Sequence, residues 1–451
     1  MSLSFLRLSI VFTSLVTAYP AVNVVQRWSP SSGPESISPS KTPAIWSQTS
    51  LVFPPDLESL ESLYSVPSYQ TIPPATASSS YVAYATSTAS IPIVPATDLH
   101  ADADPSTAQR NISNAYQPNS SNFVTNPTYA TFSNFDFQSI ALAVHQEYIE
   151  LDLFNYGLAH FSDADFDQAG INAENRELIR FMAQQEIGHA YVLSNMLGPA
   201  APKMCSYRYP FHDVRSFIDF CQVLTRWGES GVYGFLQLLD NRAVAQILLQ
   251  SITVEARQLY TFRQFEGLFP MPEWFETGLP QTWTWTLLHN WIVSCPPENQ
   301  PLAWEIYPRL VVDNQPNAII AGILAGGPAI SHNVSAFSYP GRVTCFSWDP
   351  VGLIEGPYHQ QTVTYTAGVP RFAAFVSQYN VTYSPLYDVD LERRTAKAKQ
   401  PDGHVFGLGS DLLLNGTQFV VLTDTCTNYT PANLSLINTH IVAGPAIFQA
   451  G

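Results

Sequence analysis

A glutamate and a histidine three residues apart, Glu186 and His189, stand in the segment QQEIGH. Side chains three positions apart on an α-helix project from the same face, one above the other. A carboxylate and an imidazole held in this way can bind one metal ion through an oxygen and a nitrogen. Whether the pair forms a metal site depends on the ligands that other segments bring to it.

Further polar residues lie inside apolar stripes elsewhere in the chain. Each stripe advances by steps of three and four residues, so its members share one helix face. A carboxylate on an apolar face is costly unless it is paired, because its charge loses water. A cation shared by several such groups would remove that cost. The stripe residues of this kind are Glu147, Glu229, Glu255 and Gln258.

Four stretches with helical spacing carry these stripes. The pattern predicts helices over residues 135–160, 173–197, 214–239 and 242–265. The last two are separated by a tight turn at Asp240 and Asn241, which makes them antiparallel neighbours. The sequence therefore predicts an antiparallel four-helix bundle.

The bundle places the polar residues at one depth. Glu147 and Glu186 each lie about 13 residues from the turn between their helices, or about 20 Å at 1.5 Å per residue. Two metal ions in such a bundle are held by one glutamate from each of two helices and by Glu-x-x-His from each of the others. Gln258 stands where the second histidine belongs. The predicted metal ligands are Glu147, Glu186, His189, Glu229, Glu255 and Gln258.

Two states of this site are consistent with the sequence. Either two iron or manganese ions are bound, or no metal is bound and protonated carboxylates donate hydrogen bonds to one another. Glu150, one turn after Glu147, is interpreted as an additional or alternative ligand, or as a solvated or hydrogen-bonded flanking residue. His145, His160 and His212 are interpreted as surface or capping residues.

The chain divides into five segments by composition. Residues 1–21 have the pattern of a signal peptide, and residues 22–127 are rich in Ser, Thr and Pro and are predicted to be disordered. The bundle is assigned to 128–270, and a helical or loop extension to 271–332. β-branched and aromatic runs broken by Gly, Asn and Pro predict a small β-rich, sandwich-like module over 333–451. The predicted fold class is α+β.

The composition indicates an exported protein without nucleic-acid partners. The formal net charge of −16 repels phosphate backbones, and no later segment is long and apolar enough for a membrane span. We expect a secreted, extracellular or cell-wall location, with a partner there. The predicted N-glycosylation sites are Asn111, Asn119, Asn333, Asn380, Asn415, Asn428 and Asn433.

Five cysteines are present, and some of them should pair in a secreted protein. The pairing cannot be read from the spacing alone. Cys345 and Cys426 both lie in the C-terminal module, so they are the predicted disulfide.

The segments HQEYIELDLFNYGLAHFS, QQEIGHAYVLSNMLG, CQVLTRWGESGVYGF and QSITVEARQLYTFRQFEGLFPMPEWF carry a resemblance to a known family. The chain resembles fungal secreted ferritin-like proteins of the stress-response and late-sexual-development type, and more distantly plant desiccation-related proteins. The resemblance implies a ferritin-like bundle, secretion and a link to stress or development, without an established reaction. Gln258 departs from the ligand pattern that the resemblance implies.

Two functions follow as expectations. The first is a secreted ferritin-like protein with an incomplete carboxylate and histidine metal site. The second is a non-enzymatic extracellular or cell-wall protein with a metal-free bundle. The chain is expected not to be an enzyme; the reaction that would suit the site is that of a di-metal carboxylate oxidase.

Overall fold

The computed structural model describes residues 129–317, 338–363, 367–378, 380–401 and 416–451. The predicted signal peptide and the predicted disordered segment lie outside these residues, as do Asn111, Asn119, Asn333 and Asn415.

Six α-helices make up the N-terminal part of the described chain. The four long helices lie within three residues of the predicted bounds, and the ferritin-like α+β fold class is confirmed. The short helix Asp163–Gln168 was not predicted, whereas the short helix Gln281–Leu288 lies in the predicted helical or loop extension. The helices are α1 (Asn134–His160), α2 (Asp163–Gln168), α3 (Ala173–Leu197), α4 (Val214–Leu236), α5 (Arg242–Phe265) and α6 (Gln281–Leu288).

Each long helix begins at a polar side chain that accepts a hydrogen bond from a backbone N–H of its first turn. These N-cap residues are Ser133, Asn172, Asp213 and Asn241. Such a cap satisfies a backbone donor that has no partner within the helix. In the bundle α1 packs on α3 and on α4, and α4 packs on α5. The capping residues thus set where each helix starts. The start in turn sets how deep in the bundle the polar residues of each helix face lie.

The strands are antiparallel wherever they pair and lie mostly in the C-terminal part. The strands are β1 (Ser206–Tyr207), β2 (Ile292–Ser294), β3 (Leu310–Val312), β4 (Val343–Trp348), β5 (Ile354–Glu355), β6 (Gln360–Gln361), β7 (Phe372–Ser377), β8 (Asn380–Pro385), β9 (Tyr387–Asp390), β10 (Thr395–Lys399), β11 (Thr417–Thr423) and β12 (Ile441–Gln449). They form a sheet of order β3-β4-β10-β9, another of order β12-β11-β7-β8, and two-stranded sheets β1-β2 and β5-β6.

The two four-stranded sheets share one apolar core. Phe346 and Trp348 of β4 join Phe375 of β7 and Phe448 of β12 in a cluster of buried side chains. Alternate residues of each strand point to one face of a sheet, so two such faces can close on each other. The C-terminal part is therefore a β-sandwich, as predicted.

Buried amide hydrogen bonds join the bundle to the sandwich. Gln222 of α4 donates from Nε2 to Thr417 Oγ1 of β11 at 3.0 Å, and it accepts from Gln449 Nε2 of β12 at 2.7 Å. Thr417 donates in turn to Gln449 Oε1 at 2.6 Å. All three side chains are almost completely buried. The helical and sheet parts therefore share an interface that excludes water.

The segment after the bundle packs on it. Gln281 of α6 donates to Ser139 Oγ of α1 at 3.0 Å, and the backbone N–H of Leu279 donates to Ser230 O of α4 at 2.8 Å. Trp304 donates from its indole N–H to Gln138 O of α1 at 3.1 Å.

The predicted disulfide between Cys345 and Cys426 is wrong. The structure pairs Cys205 with Cys295 and leaves Cys345 and Cys426 as free thiols, together with the buried Cys221. Cys345 lies on β4, in one sheet of the sandwich, whereas Cys426 follows β11, in the other. A shared module therefore did not make them neighbours, because each belongs to a different layer.

Two further predictions concern the surface of the protein: the absence of a membrane span and the sites of N-glycosylation. Among the described residues, none of the helices combines the length and apolar character needed to cross a bilayer. Asn428 and Asn433 are exposed and Asn380 is half-buried. Their glycosylation stays a prediction.

Candidate metal centre

Four of the six predicted ligands meet in the middle of the bundle. Glu147 of α1, Glu186 and His189 of α3, and Glu255 of α5 each offer a ligand atom, and these atoms lie within 4.8 Å of one another. His189 Nδ1 is 3.0 Å from Glu186 Oε2, 3.3 Å from Glu147 Oε2 and 3.6 Å from Glu255 Oε1. Three helices therefore supply three carboxylates and one imidazole to a single point.

The carboxylates of this cluster lack enough hydrogen-bond donors. Glu147, Glu186 and Glu255 are at most 3% exposed. One nitrogen of His189 faces three oxygens, but it can carry only one hydrogen. Glu147 Oε2 and Glu255 Oε1 accept no hydrogen bond. Buried carboxylate oxygens without a donor are costly, so they need a proton or a cation.

The pKa values of the cluster reflect burial and mutual repulsion. Burial raises the pKa of Glu147 to about 7, although His189 opposes the shift. Burial, followed by repulsion from Glu147 and Glu150, raises the pKa of Glu255 well above its ordinary value. Burial lowers the pKa of His189, but attraction by Glu186 and Glu147 outweighs burial and raises it to about 12. Without a metal, a protonated His189 is thus the only cation within the four-residue group.

Gln258 faces the cluster but uses its amide nitrogen there. Its Nε2 donates to Glu186 Oε1 at 2.5 Å and to Gln185 Oε1 at 3.2 Å. Its carbonyl oxygen is buried and accepts no hydrogen bond. In this orientation the amide nitrogen supports Glu186, and no imidazole stands at the position where the ligand pattern has a second histidine.

Glu150 is buried beside the cluster and is held by a hydrogen bond, as one of its two interpretations proposed. Gln146 donates from Nε2 to Glu150 Oε1 at 2.8 Å and accepts at Oε1 from the indole of Trp227 at 2.9 Å. A Cβ on Gly228 would lie 2.7 Å from Gln146 Nε2 and 2.8 Å from Glu150 Oε1, so any larger residue there would displace these two side-chain ends. Burial, followed by repulsion from Glu186 and Glu147, raises the pKa of Glu150 well above its ordinary value.

Glu229 departs from the predicted ligand set, because it belongs to a different charged group. Its Oε2 lies 3.9 Å from Arg226 Nη1, one turn earlier on α4. Arg226 also pairs with Glu273, at 2.7 Å, and with Glu276, both from the segment after α5. Burial and the nearby Glu276 raise the pKa of Glu229 well above its ordinary value, while Arg226 lowers it.

The arginine group was missed at the level of sequence, although one signal for it was present. Arg226 stands three residues before Glu229 in TRWGES and therefore on the same helix face. The other two partners, Glu273 and Glu276, follow the bundle, and their position could not be inferred from helical spacing.

His145 was predicted to be a surface or capping residue, and this prediction is wrong because it lies in the interior of α1 and is buried. The imidazole is fully buried, and burial lowers its pKa to about 4. Its Nε2 lies 3.2 Å from the Tyr358 hydroxyl, and its ring lies 5.8 Å from that of Trp285. His160 and His212 are exposed, as expected.

The residues of the cluster fit one divalent cation. Carboxylates suit manganese, and imidazole suits iron among other transition metals. Glu147 Oε2 and Glu255 Oε1 accept no hydrogen bond, so both oxygens are available to bind a cation. Glu229 lies outside this group, 3.9 Å from Arg226, and Gln258 directs its amide nitrogen to Glu186. The four grouped residues therefore supply the ligands of one ion.

Comparison with known proteins agrees with the architecture. The family profile described as a ferritin-like domain matches residues 135–267. The chain is also similar to protein rds1 of Schizosaccharomyces pombe, with 49% identity over 338 residues, which cover 72% of this chain and 84% of the relative.

Proposed function

Because the chain belongs to the same fungal family of ferritin-like proteins as protein rds1, we propose that it binds one iron or manganese ion in the core of its bundle. The observation that carries the proposal is the meeting of Glu147, Glu186, His189 and Glu255 within 4.8 Å. Two buried oxygens of this group have no donor. A divalent cation would neutralise the carboxylates that burial otherwise forces to hold protons.

Each residue has a distinct part in holding the ion. Glu186 is positioned by Gln258, and Glu147 and Glu255 approach it from α1 and α5. His189 must lose its proton to offer Nδ1, so ion binding releases protons to solvent. When bound, an iron or manganese ion supplies one-electron redox chemistry. Gln146 and Trp227 hold Glu150 beside the site through hydrogen bonds, since Trp227 donates to Gln146 and Gln146 donates to Glu150 Oε1.

A metal-free bundle is the second candidate function. It is favoured by the short contacts that His189 Nδ1 makes with three carboxylates, since a protonated imidazole can replace a metal as the central charge. In that case the bundle serves as the scaffold of an extracellular or cell-wall protein, and neither chelators nor metals change its stability.

Metal titration of the full chain separates the two functions. Under anaerobic conditions, Fe²⁺ or Mn²⁺ should bind at one ion per chain, and Glu186→Gln should weaken binding by about a hundredfold or more because it removes a central charged ligand. Glu177→Gln is the matched control, since Glu177 is an exposed glutamate of the same helix, α3. Absence of binding to the wild-type chain, or equal binding by both variants, would favour the metal-free scaffold.

Secretion is proposed together with the metal site. It is supported by the apolar start of the chain and by the Cys205–Cys295 disulfide, since such bonds persist in oxidising compartments. A role in stress or development is proposed from family resemblance alone. Expression of the full chain in a fungal host should give a glycosylated protein in the medium, with a smaller glycosidase shift in Asn428→Gln. An unglycosylated protein retained in cells would contradict secretion.

A further inference from the structure

A disulfide and a buried histidine lie together at a second place in the fold, where α1 faces the two-stranded sheet of β1 and β2. Cys205 precedes β1 and Cys295 follows β2, and the register of Ser206 opposite Ser294 places the two cysteines side by side. The ligand atoms of Cys205, Cys295 and His145 lie within 4.8 Å of one another. His145 Nδ1 is 3.8 Å from Cys205 Sγ.

From this geometry we propose that His145 and the reduced thiols of Cys205 and Cys295 bind one thiophilic cation of the zinc class. Two sulfurs and one imidazole nitrogen are ligands that zinc prefers in proteins. In a tetrahedral zinc site with usual bond lengths, a sulfur and a nitrogen lie about 3.6 Å apart. The 3.8 Å between Nδ1 and Sγ is close to that separation, so little movement of His145 is needed.

The site remains assembled without the S–S bond, because other contacts hold its parts. Asn299 clamps the loop before β1: its Oδ1 accepts from Lys203 N at 2.8 Å and its Nδ2 donates to Lys203 O at 2.7 Å. The same Nδ2 lies 3.7 Å from Cys205 Sγ. Pairing of β1 with β2 keeps the second cysteine in place.

Tyr358 can set the tautomer of His145 that a cation requires. Its hydroxyl lies 3.2 Å from Nε2. When Nε2–H donates to this oxygen, the lone pair of Nδ1 faces Cys205. Hydrogen bonds of this kind orient the histidine ligands of metal sites. The Tyr358 contact thus lies on the opposite side of the ring from the sulfurs, where a supporting group belongs.

Conversion of the disulfide into the metal site requires two electrons and two protons, which a thiol reductant supplies. Two thiols of a small reductant, or one dithiol, are oxidised to a disulfide and give two electrons and two protons to the Cys205–Cys295 bond. The S–S bond breaks and two S–H bonds form. A divalent cation then replaces both protons as two metal–sulfur bonds form, and the protons pass to solvent. A small disulfide reverses the sequence: it takes two electrons from the two thiolates and two protons from solvent and becomes two thiols, while the Cys205–Cys295 bond re-forms and the ion is released.

Cobalt(II) is the probe that tests this site, because cobalt bound to thiolates gives a sulfur-to-metal charge-transfer band that carboxylate ligands do not give. The test uses the full chain with Cys345→Ser and Cys426→Ser, because these two free thiols are not buried and could bind cobalt themselves. After reduction and removal of the reductant, this protein should bind Co²⁺ with the charge-transfer band, and Zn²⁺ should displace the cobalt. The same protein before reduction should not show the band.

Further substitutions in that protein identify the cobalt ligands and distinguish this site from the proposed metal site in the bundle core. Cys205→Ser should abolish the two-thiolate band, and His145→Ala should weaken binding by about tenfold or more. Cys221→Ser and Glu186→Gln should keep the band. Far-ultraviolet circular dichroism checks that each variant is folded, and the reduced parent protein provides the primary result without any ligand substitution. No band in that reduced parent, or an unchanged band in Cys205→Ser, would overturn the proposal.

Discussion

His189 is the residue on which the electrostatics of the bundle core depend. It faces Glu147, Glu186 and Glu255 through one ring nitrogen. In the metal-free protein its positive charge offsets part of their repulsion, whereas in the proposed metal-bound form the same nitrogen would become a ligand. The proposed ion would therefore compete with a proton for His189, and its binding should depend on pH.

The pH dependence of stability has a definite sign in the chelated protein. Glu147 has an ordinary pKa of 4.5 and one of about 7 in the folded chain, and His189 moves from 6.5 to about 12. The folded state therefore holds protons that the unfolded chain has already lost, so its stability falls as pH rises through these windows. For Glu147 alone the fall is about 3 kcal/mol between pH 4.5 and 7.

Urea unfolding at pH 5 and pH 8 in the presence of a chelator measures this fall. Wild type should lose more free energy of unfolding than Glu147→Gln over the same interval, because glutamine cannot titrate. Equal losses in the two proteins would show that Glu147 keeps no proton in the folded state. Added Mn²⁺ should reduce the wild-type loss, because metal binding strengthens by up to about tenfold per pH unit for each proton released.

At the scale of elements, the four long helices could be predicted from the sequence because each bears an apolar stripe and a polar cap. The same stripes brought Glu147, Glu186, His189 and Glu255 to one depth. Contacts between a helix and a segment outside the bundle could not be predicted, because the spacing of residues within a helix does not show what packs on it from elsewhere. Glu229 is the example: its partners Glu273 and Glu276 come from a segment without helical period, so its predicted role as a ligand did not follow.

The disulfide and His145 illustrate a second limit of prediction. Cys205 and Cys295 are 90 residues apart in sequence and meet only because β1 pairs with β2. Two-residue and three-residue strands give too little pattern to be recognised in a sequence. His145 lies within a helix whose buried side is unusually wide, because α6 and the segment around Tyr358 cover the face that a two-layer bundle would leave to solvent.

At Gly234 of α4 the helix backbone lies close to the segment after the bundle. A Cβ at this position would lie 1.8 Å from Leu279 O, whereas a Cβ on Gly188 of α3 meets nothing within 4 Å. Gly234→Ala should therefore lower the free energy of unfolding by about 2 kcal/mol or more. Gly188→Ala, the matched control, should raise it by about 0.5–1 kcal/mol because alanine favours helix. Chemical denaturation of both variants measures the difference, and a neutral Gly234→Ala would contradict the close packing.

At the scale of the whole molecule, the bundle and the sandwich should unfold together. Their interface contains the buried triad of Gln222, Thr417 and Gln449, whose hydrogen bonds satisfy one another. Gln222→Ala leaves two buried polar side chains short of a partner, which should cost about 2–3 kcal/mol. Gln250→Ala, at an exposed position of α5, should change stability by less than about 0.5 kcal/mol.

Unfolding followed by two probes tests the coupling of the two parts. Helix content from far-ultraviolet circular dichroism and the near-ultraviolet signal of the aromatic residues should change at the same denaturant concentration in wild type. In Gln222→Ala both transitions should shift together to a lower concentration. Separate transitions in wild type would mean that the sandwich and the bundle are independent folding units.

We propose that one cation binds where the three carboxylates and the imidazole of the bundle core meet. Anomalous X-ray scattering from crystals of the full chain grown with Mn²⁺ tests this proposal, because the signal reports the position of the ion itself. We predict one anomalous peak within about 2.0–2.3 Å of ligand atoms of Glu147, Glu186, His189 and Glu255. Crystals with no peak in the bundle, or with a peak bound by Glu229 in place of these residues, would contradict the account.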